Sequence, residues 1–324
     1  MRRAAVILVA LVWLANAVGA AGAGEAAAPG RIAVDRDDAK GQLRVRIGGK
    51  EAFAFHYGED LDLPYIVPRS PSGKPLTVVQ TKPYPHHRSI WFADTVQLAG
   101  RRRASFYNAL YSRADKNDPT SPFQDRIRLV SMDPARLDGR QATITAKLLW
   151  EMDRKTPVLD EARRMRVVSL GGGGYLLDLV FKVTASYGDA TFASDAVHYA
   201  WPYVRMDPAF SVDKGGTMTN SEGGVNQKGT CDKAATWVDY TNTVEGVTEG
   251  LAVFTHPEIG PPPTWLTRNY GTFGPRREPA RSGTKFTLAR GKSLTQRVGI
   301  LVHSGDVKAG RVAQRYRRYV QGER

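Results

Sequence analysis

The sequence predicts an all-β chain, a large antiparallel sandwich of two packed sheets carrying one C-terminal helix. Three observations predict it. In residues 141–151, Ala142, Ile144, Ala146, Leu148 and Trp150 share one face, while Thr143, Thr145, Lys147 and Glu151 share the other. In residues 175–186, Tyr175, Leu177, Leu179, Phe181, Val183 and Ala185 oppose Asp178, Lys182 and Thr184. Further short runs of this kind recur between turn signals, and a helical period is nearly absent until the end of the chain.

The elements follow in order. Residues 1–23 read as a secretory leader, with Arg2 and Arg3 ahead of an apolar stretch from Ala4 to Ala17 and small-residue cleavage sites at Val18-Gly-Ala20 and Ala21-Gly-Ala23. A membrane span needs about 20 strongly apolar residues, and Asn16 with its Gly/Ala tail intervenes. The mature protein is therefore expected to be exported, periplasmic or extracellular, with no membrane attachment after leader removal. Residues 24–30 are expected to be a flexible N-terminus and 31–324 a single domain.

Strands are expected at 31–35, 42–47, 51–56, 76–80, 126–132, 141–151, 163–169 and 175–186, with a glycine turn at 171–174. Others are expected at 196–203, 235–240, 250–254, 284–288 and 293–302. The polar loop 113–122 and the proline-rich turn 257–263 interrupt strands rather than separate domains. Val312, Tyr316, Tyr319 and Val320 then fall at i, i+4, i+7 and i+8, with Gly322 as a stop and Arg311, Arg315 and Arg318 opposite. That spacing predicts a helix with one apolar face.

Composition narrows the partners. Cys231 is the only cysteine, so an exported chain of this kind must hold itself together by packing, and the thiol itself is expected to be a small buried hydrophobe. The formal net charge is +14. Export makes nucleic acid an unsuitable partner, whereas an anionic polysaccharide or a bacterial surface suits a basic protein. The run Arg101–Arg103 reads as a solvated loop or strand edge.

Only six histidines occur, yet His86 and His87 are adjacent within Tyr84-Pro-His-His-Arg-Ser-Ile-Trp-Phe-Ala93. Imidazole suits proton transfer near neutral pH, so this segment is the first candidate site. Pro83 and Pro85 predict a turn, in which both rings can converge. Arg88 adds a planar donor fork for a carboxylate or a pair of sugar hydroxyls.

Glu222, in Asn220-Ser-Glu-Gly-Gly224, is either a general base or an exposed hairpin residue. His256 ends a strand before Pro257, the rim position where site residues gather on β scaffolds. Asp239 alternates along Trp237-Val-Asp-Tyr240. Trp265, Tyr270 and Phe273 are either stacking platforms for sugar rings or core residues, and Arg268 between them is a candidate anion contact. His56, His198 and His303 read as structural. No metal-ligand spacing, phosphate loop or nucleophile elbow is present, so no cofactor is expected. A metal held by His86, His87 and His256 stays a lesser alternative.

Taken in order, the segments 83–93, 220–223, Trp237-Val-Asp-Tyr240, Phe254-Thr-His-Pro257, Trp265-Leu-Thr-Arg-Asn-Tyr-Gly271 and Leu301-Val-His-Ser-Gly-Asp306 resemble a bacterial family labelled "methane oxygenase PmoA", also catalogued as a domain of unknown function. The resemblance covers the chain from about Arg31 to the final helix. The leader and the lack of spanning segments depart from a membrane oxygenase subunit. The resemblance implies an exported protein in a carbohydrate context. It also implies a fold similar to galactose-mutarotase-like supersandwiches, with His86 or His87 and His256 as acid/base partners and Glu222 or Asp239 as the carboxylate.

The function expected is that of an exported carbohydrate-active protein, an epimerase, lyase or hydrolase using histidine and a carboxylate, with Arg88, Asp239, Trp265, Arg268 and Tyr270 holding the sugar. Two other readings stay open: a glycan-binding module without turnover, and the metal-dependent oxygenase of the family label.

Overall fold

The computed structural model describes residues 30–106, 124–193, 200–277 and 286–322. The leader, His198 and the loop 113–122 lie outside them. Two antiparallel sheets dominate, as the alternation requires. The first has eight strands in the order Ile32–Asp37, Gln42–Ile47, Lys50–His56, Tyr65–Pro68, Ile90–Trp91, Tyr203–Arg205, Thr272–Pro275 and Trp265–Thr267. The second has nine. Its path runs Arg126–Met132, Gln141–Met152, Thr156–Gly171, Gly174–Thr184, Ser293–Ser304, Val247–Thr255, Trp237–Val244 and Thr217–Asn220, and Arg136–Asp138 pairs with Gln141–Met152.

Side chains from both sheets meet in one core. Tyr175, Leu177, Leu179, Phe181 and Val183 of the second sheet pack with Val45, Phe53 and Phe55 of the first. Leu176 and Asp178 face the other way, as a period of two demands. The Tyr175 hydroxyl crosses between the sheets to donate to the Ala52 carbonyl at 2.7 Å. At one edge, buried Glu249 accepts from Ser72 twice, from its N–H and its hydroxyl, both at 2.7 Å. In the heart of the sandwich, Arg163 lies over Phe55 and Phe181 at 5.7 and 5.0 Å and pairs with Glu161 at 2.7 Å. Glu161 in turn accepts from the Trp150 indole at 2.8 Å.

The helix forms at Val312–Val320 and covers the outer face of the second sheet. Val312 and Tyr319 bury against Leu176, Phe254 and Leu301. Gly299 makes room for the Tyr319 ring: a Cβ there would sit 3.1 Å from its Cζ.

Several elements differ from expectation. The strand expected at 163–169 begins at Thr156, because its pairing with Gln141–Met152 continues back through a bulge to the tight turn at Asp153–Lys155. The segment expected at 76–80 is extended but pairs only at Val79–Thr81, with a lone bridge from Thr77 to Met206. A short helix, Asn226–Thr230, has no periodicity long enough to see in the sequence. Arg102 of the basic run is held by Asp125 at 2.5 Å and Asp153 at 2.5 Å, so it is a structural anchor rather than a solvated charge.

Candidate active site

The His-His segment forms a strand, Tyr84–Arg88, hairpinned to Val79–Thr81. This corrects the expectation of a turn. Although neighbours in a regular strand diverge, the two rings here meet edge-on with centroids 4.6 Å apart. A stack then builds outward from His87. Tyr84 lies parallel to His87 at 4.9 Å, and Tyr270 lies on Tyr84 at 5.2 Å. On another side, His87 meets Trp91 at 5.3 Å, and Trp91 stacks on its cross-strand neighbour Tyr203 at 4.7 Å. Tyr84, His86 and Tyr270 remain half-buried, while His87 and Arg88 are buried.

Arg205, which sequence reasoning did not single out, completes the cluster. It lies on the strand paired with Ile90–Trp91, is 4% exposed, and has its guanidinium 4.7 Å from the Tyr270 ring centroid. Its Nη1 donates to the Tyr270 carbonyl, and its Nε is buried without an acceptor. The only signal in the sequence was an arginine in an otherwise apolar run, Trp201-Pro-Tyr-Val-Arg-Met206.

Electrostatics in the cluster follow from burial. His87 is pushed down to about 2, by loss of water first and then by the positive potentials of His86, Arg205 and Arg88. It is therefore neutral, and its Nδ1 is buried with no partner. Burial also lowers Arg205, with nearby tyrosines opposing the shift. Burial, then Tyr84, raises Tyr270. Arg88 turns one donor back to the Pro85 carbonyl at 2.6 Å and to the His87 carbonyl at 3.2 Å, which braces the strand.

The turn that presents Tyr270 is fixed from below. The Tyr240 hydroxyl donates to the Arg268 carbonyl, Gln227 and Asn269 exchange bonds at 3.0 and 3.1 Å, and Arg268 Nη1 lies 3.1 Å from the half-buried Cys231 sulfur. Arg268 thus sits beside the cluster, in the same turn as Tyr270.

The remaining expected residues do not converge on the histidine pair. His256 caps the Pro257–Ile259 turn, accepting from the Glu258 N–H at 3.2 Å, with its ring edge-on to Tyr319 at 5.2 Å. Burial and then Arg297 lower its pKa. It belongs to the helix-covered outer face because its strand alternates away from the core there. Asp239 faces outward too, since Tyr240 beside it takes the inward position. It pairs with His303 Nε2 at 2.8 Å and accepts from Thr241 at 2.5 Å, on the wall of a polar recess of about 360 Å³. Glu222 is exposed and accepts from Ser221 at 2.8 Å. Trp265 is fully buried, with its indole donating to the Ala235 carbonyl at 2.9 Å, so it is a core residue and no stacking platform. Phe273 is likewise sealed, against Tyr240.

Among the described residues, no group of three or more His, Cys, Asp or Glu stands together in a way that would hold a metal ion. The arrangement offers a neutral imidazole, guanidinium groups and half-exposed tyrosines. That set can hold a sugar ring and move a proton.

Comparison with solved structures finds similar chain traces at very low identity. The GH36 alpha-galactosidase AgaB from Geobacillus stearothermophilus matches with a TM-score of 0.46 and 12% identity, over 85% of this chain and 41% of that one. The alpha-galactosidase from Lactobacillus brevis matches at 0.41 and 9%, over 84% and 39%. A polysaccharide lyase matches at 0.39 and 12%, over 85% and 33%. This chain thus spans well under half the length of these proteins. No curated protein sequence matches it. The motif resemblance to the family labelled methane oxygenase PmoA is overturned, because the family profile that matches, over residues 42–317, carries no such assignment. The chain belongs to DUF6807, a family of unknown function.

Proposed function

We propose that this is an exported carbohydrate-active enzyme that moves a proton on a sugar ring at the Tyr84, His87, Arg205 and Tyr270 cluster. One observation carries the reading: a buried neutral imidazole with an unpartnered nitrogen, at the base of a half-exposed tyrosine stack whose outer ring carries a buried guanidinium. Hydrolysis of a glycosidic bond ordinarily employs two carboxylates flanking it. Glu222 and Asp239 have other partners, and no carboxylate contacts His87 among the described residues.

Elimination or epimerisation needs no such carboxylate. His87 takes the proton from a ring carbon beside a carbonyl or carboxyl group, and the C–H electron pair moves onto that carbon. In elimination the pair forms a C=C bond as the adjacent C–O bond breaks, with a tyrosine hydroxyl protonating the leaving oxygen. In epimerisation a proton returns to the same carbon from the opposite face, supplied by water. Tyr84 and Tyr270 line the accessible side of the cluster and are the candidate acids.

General base catalysis contributes about 10²- to 10⁴-fold, so His87→Ala loses turnover on that scale. The test is incubation with an oligosaccharide panel, with mass and double-bond absorbance detection of products. Unchanged product formation by both His86→Ala and His87→Ala removes the pair from the chemistry. The half-exposed aromatic stack of Tyr84 and Tyr270 also favours a second reading, a glycan-binding module. Sugar binding without any product formation, and weakened by Tyr270→Ala, establishes that one instead.

A further inference from the structure

Arg205 differs from three other buried arginines. Arg163, Arg276 and Arg277, all 5% exposed or less, each hold a carboxylate, on Glu161 at 2.7 Å, Asp232 at 2.8 Å and Asp94 at 3.3 Å. Arg205 is as buried, yet no carboxylate bonds to it among the described residues, and Asp207 acts on it only through its charge at longer range. Its polar contacts are one backbone carbonyl and the face of Tyr270, and its Nε has no acceptor. A guanidinium withdrawn from water without a directly paired carboxylate is costly to keep unless something supplies one. A planar fork beside an aromatic face is suited to a carboxylate on a flat ring.

We infer that the sugar handled at this site is acidic, a uronic acid residue whose carboxylate docks on Arg205 while its ring lies against Tyr84 and Tyr270. This inference rests on the proton-transfer reading above and sharpens it. A proton on the carbon beside a carboxylate leaves readily only when the carboxylate charge is neutralised, and Arg205 is the group placed to do so. His87 and Arg205 are close enough to interact electrostatically, so neutralising the guanidinium also removes one of the charges that keep the imidazole a weak base. Binding the acid therefore improves the base.

The test is calorimetric titration of the mature protein, at physiological ionic strength, with galacturonic and glucuronic acid disaccharides and their carboxyl-reduced counterparts. We expect the acidic form of at least one pair to bind tenfold or more tightly than its reduced form. Arg205→Gln removes that preference and leaves affinity for the reduced sugar, while Arg205→Lys, which keeps charge without the fork, retains part of it. Thermal melts verify that each variant folds, and the wild-type comparison stands whether or not they do. Equal binding of acidic and reduced sugars overturns the inference, as does a preference that survives in folded Arg205→Gln, which assigns it to the general positive charge. Histidine-dependent turnover of a neutral sugar sinks the acidic substrate alone. Failure of every sugar to bind sinks the proton-transfer reading with it.

Discussion

His87 shows how a single buried side chain sets the acid behaviour of the protein. Its folded pKa is about 2, against about 6.5 when unfolded, so the unfolded chain binds the extra proton as pH falls. The stability linked to neutral His87 is complete above about pH 6.5 and is lost progressively below it. Between pH 6.5 and 5 the loss is about 2 kcal/mol. Urea unfolding across that interval is expected to show His87→Gln declining less steeply than wild type by that amount. His303 has the opposite sign: burial pulls it down, but the Asp239 charge and hydrogen bond outweigh burial and raise it. Its contribution is present below about pH 6.5 and disappears as pH rises through the raised value. His303→Gln should therefore flatten the alkaline side of the same profile. At this scale the His86–His87 pair was legible because adjacent imidazoles are rare in so histidine-poor a chain. Arg205 was not, because its significance lies in lacking a paired carboxylate, and a sequence shows no pairings. The Asp239–His303 pair, whose members stand 64 positions apart, was equally hidden.

The C-terminal helix is the clearest case in which an element was readable from its spacing alone. Its apolar positions recur at helical intervals, and the structure buries that stripe. What it packs against was not readable, because the receiving surface is built from strands far apart in the chain. Tyr319 is the anchor: its ring lies beside Phe254 and His256, and its hydroxyl donates to Asp178 at 3.1 Å. Asp178 also receives both Nε and Nη2 of Arg297, at 2.9 and 3.1 Å. Tyr319→Ala should cost about 3–5 kcal/mol in chemical denaturation, as for other large aromatic deletions. Gly310→Ala offers a finer probe of the turn before the helix. Its Cβ would fall 2.2 Å from His303 Nδ1, so the ring must move and the Asp239 contact must loosen. Overpacking of this sort costs about 1–3 kcal/mol, and it should lower the thermal midpoint while leaving the Tyr84–Tyr270 stack, the proposed sugar site, unchanged.

Across the molecule, the two-sheet architecture was legible because alternating runs long enough to bury one face have to meet a second such surface. The order of the strands was not. Ile90–Trp91 lies beside Tyr203–Arg205, and Gly174–Thr184 beside Ser293–Ser304, pairings that local patterning does not encode. Nor was the polar tie inside the sandwich, where Trp150, Glu161 and Arg163 form a chain buried between the sheets. Arg163→Ala strands the Glu161 carboxylate and should cost about 3–5 kcal/mol. Replacing Arg163 with Met and Glu161 with Leu together should cost less than the single change, which guanidinium unfolding of both variants will show. The one thiol of the whole chain offers a different use. Cys231 is half-buried beside Arg268, two residues from the ring that stacks on Tyr84. A fluorophore attached there needs no engineered cysteine and no removal of others, and its emission can report, in real time, whether a ligand reaches the neighbouring stack.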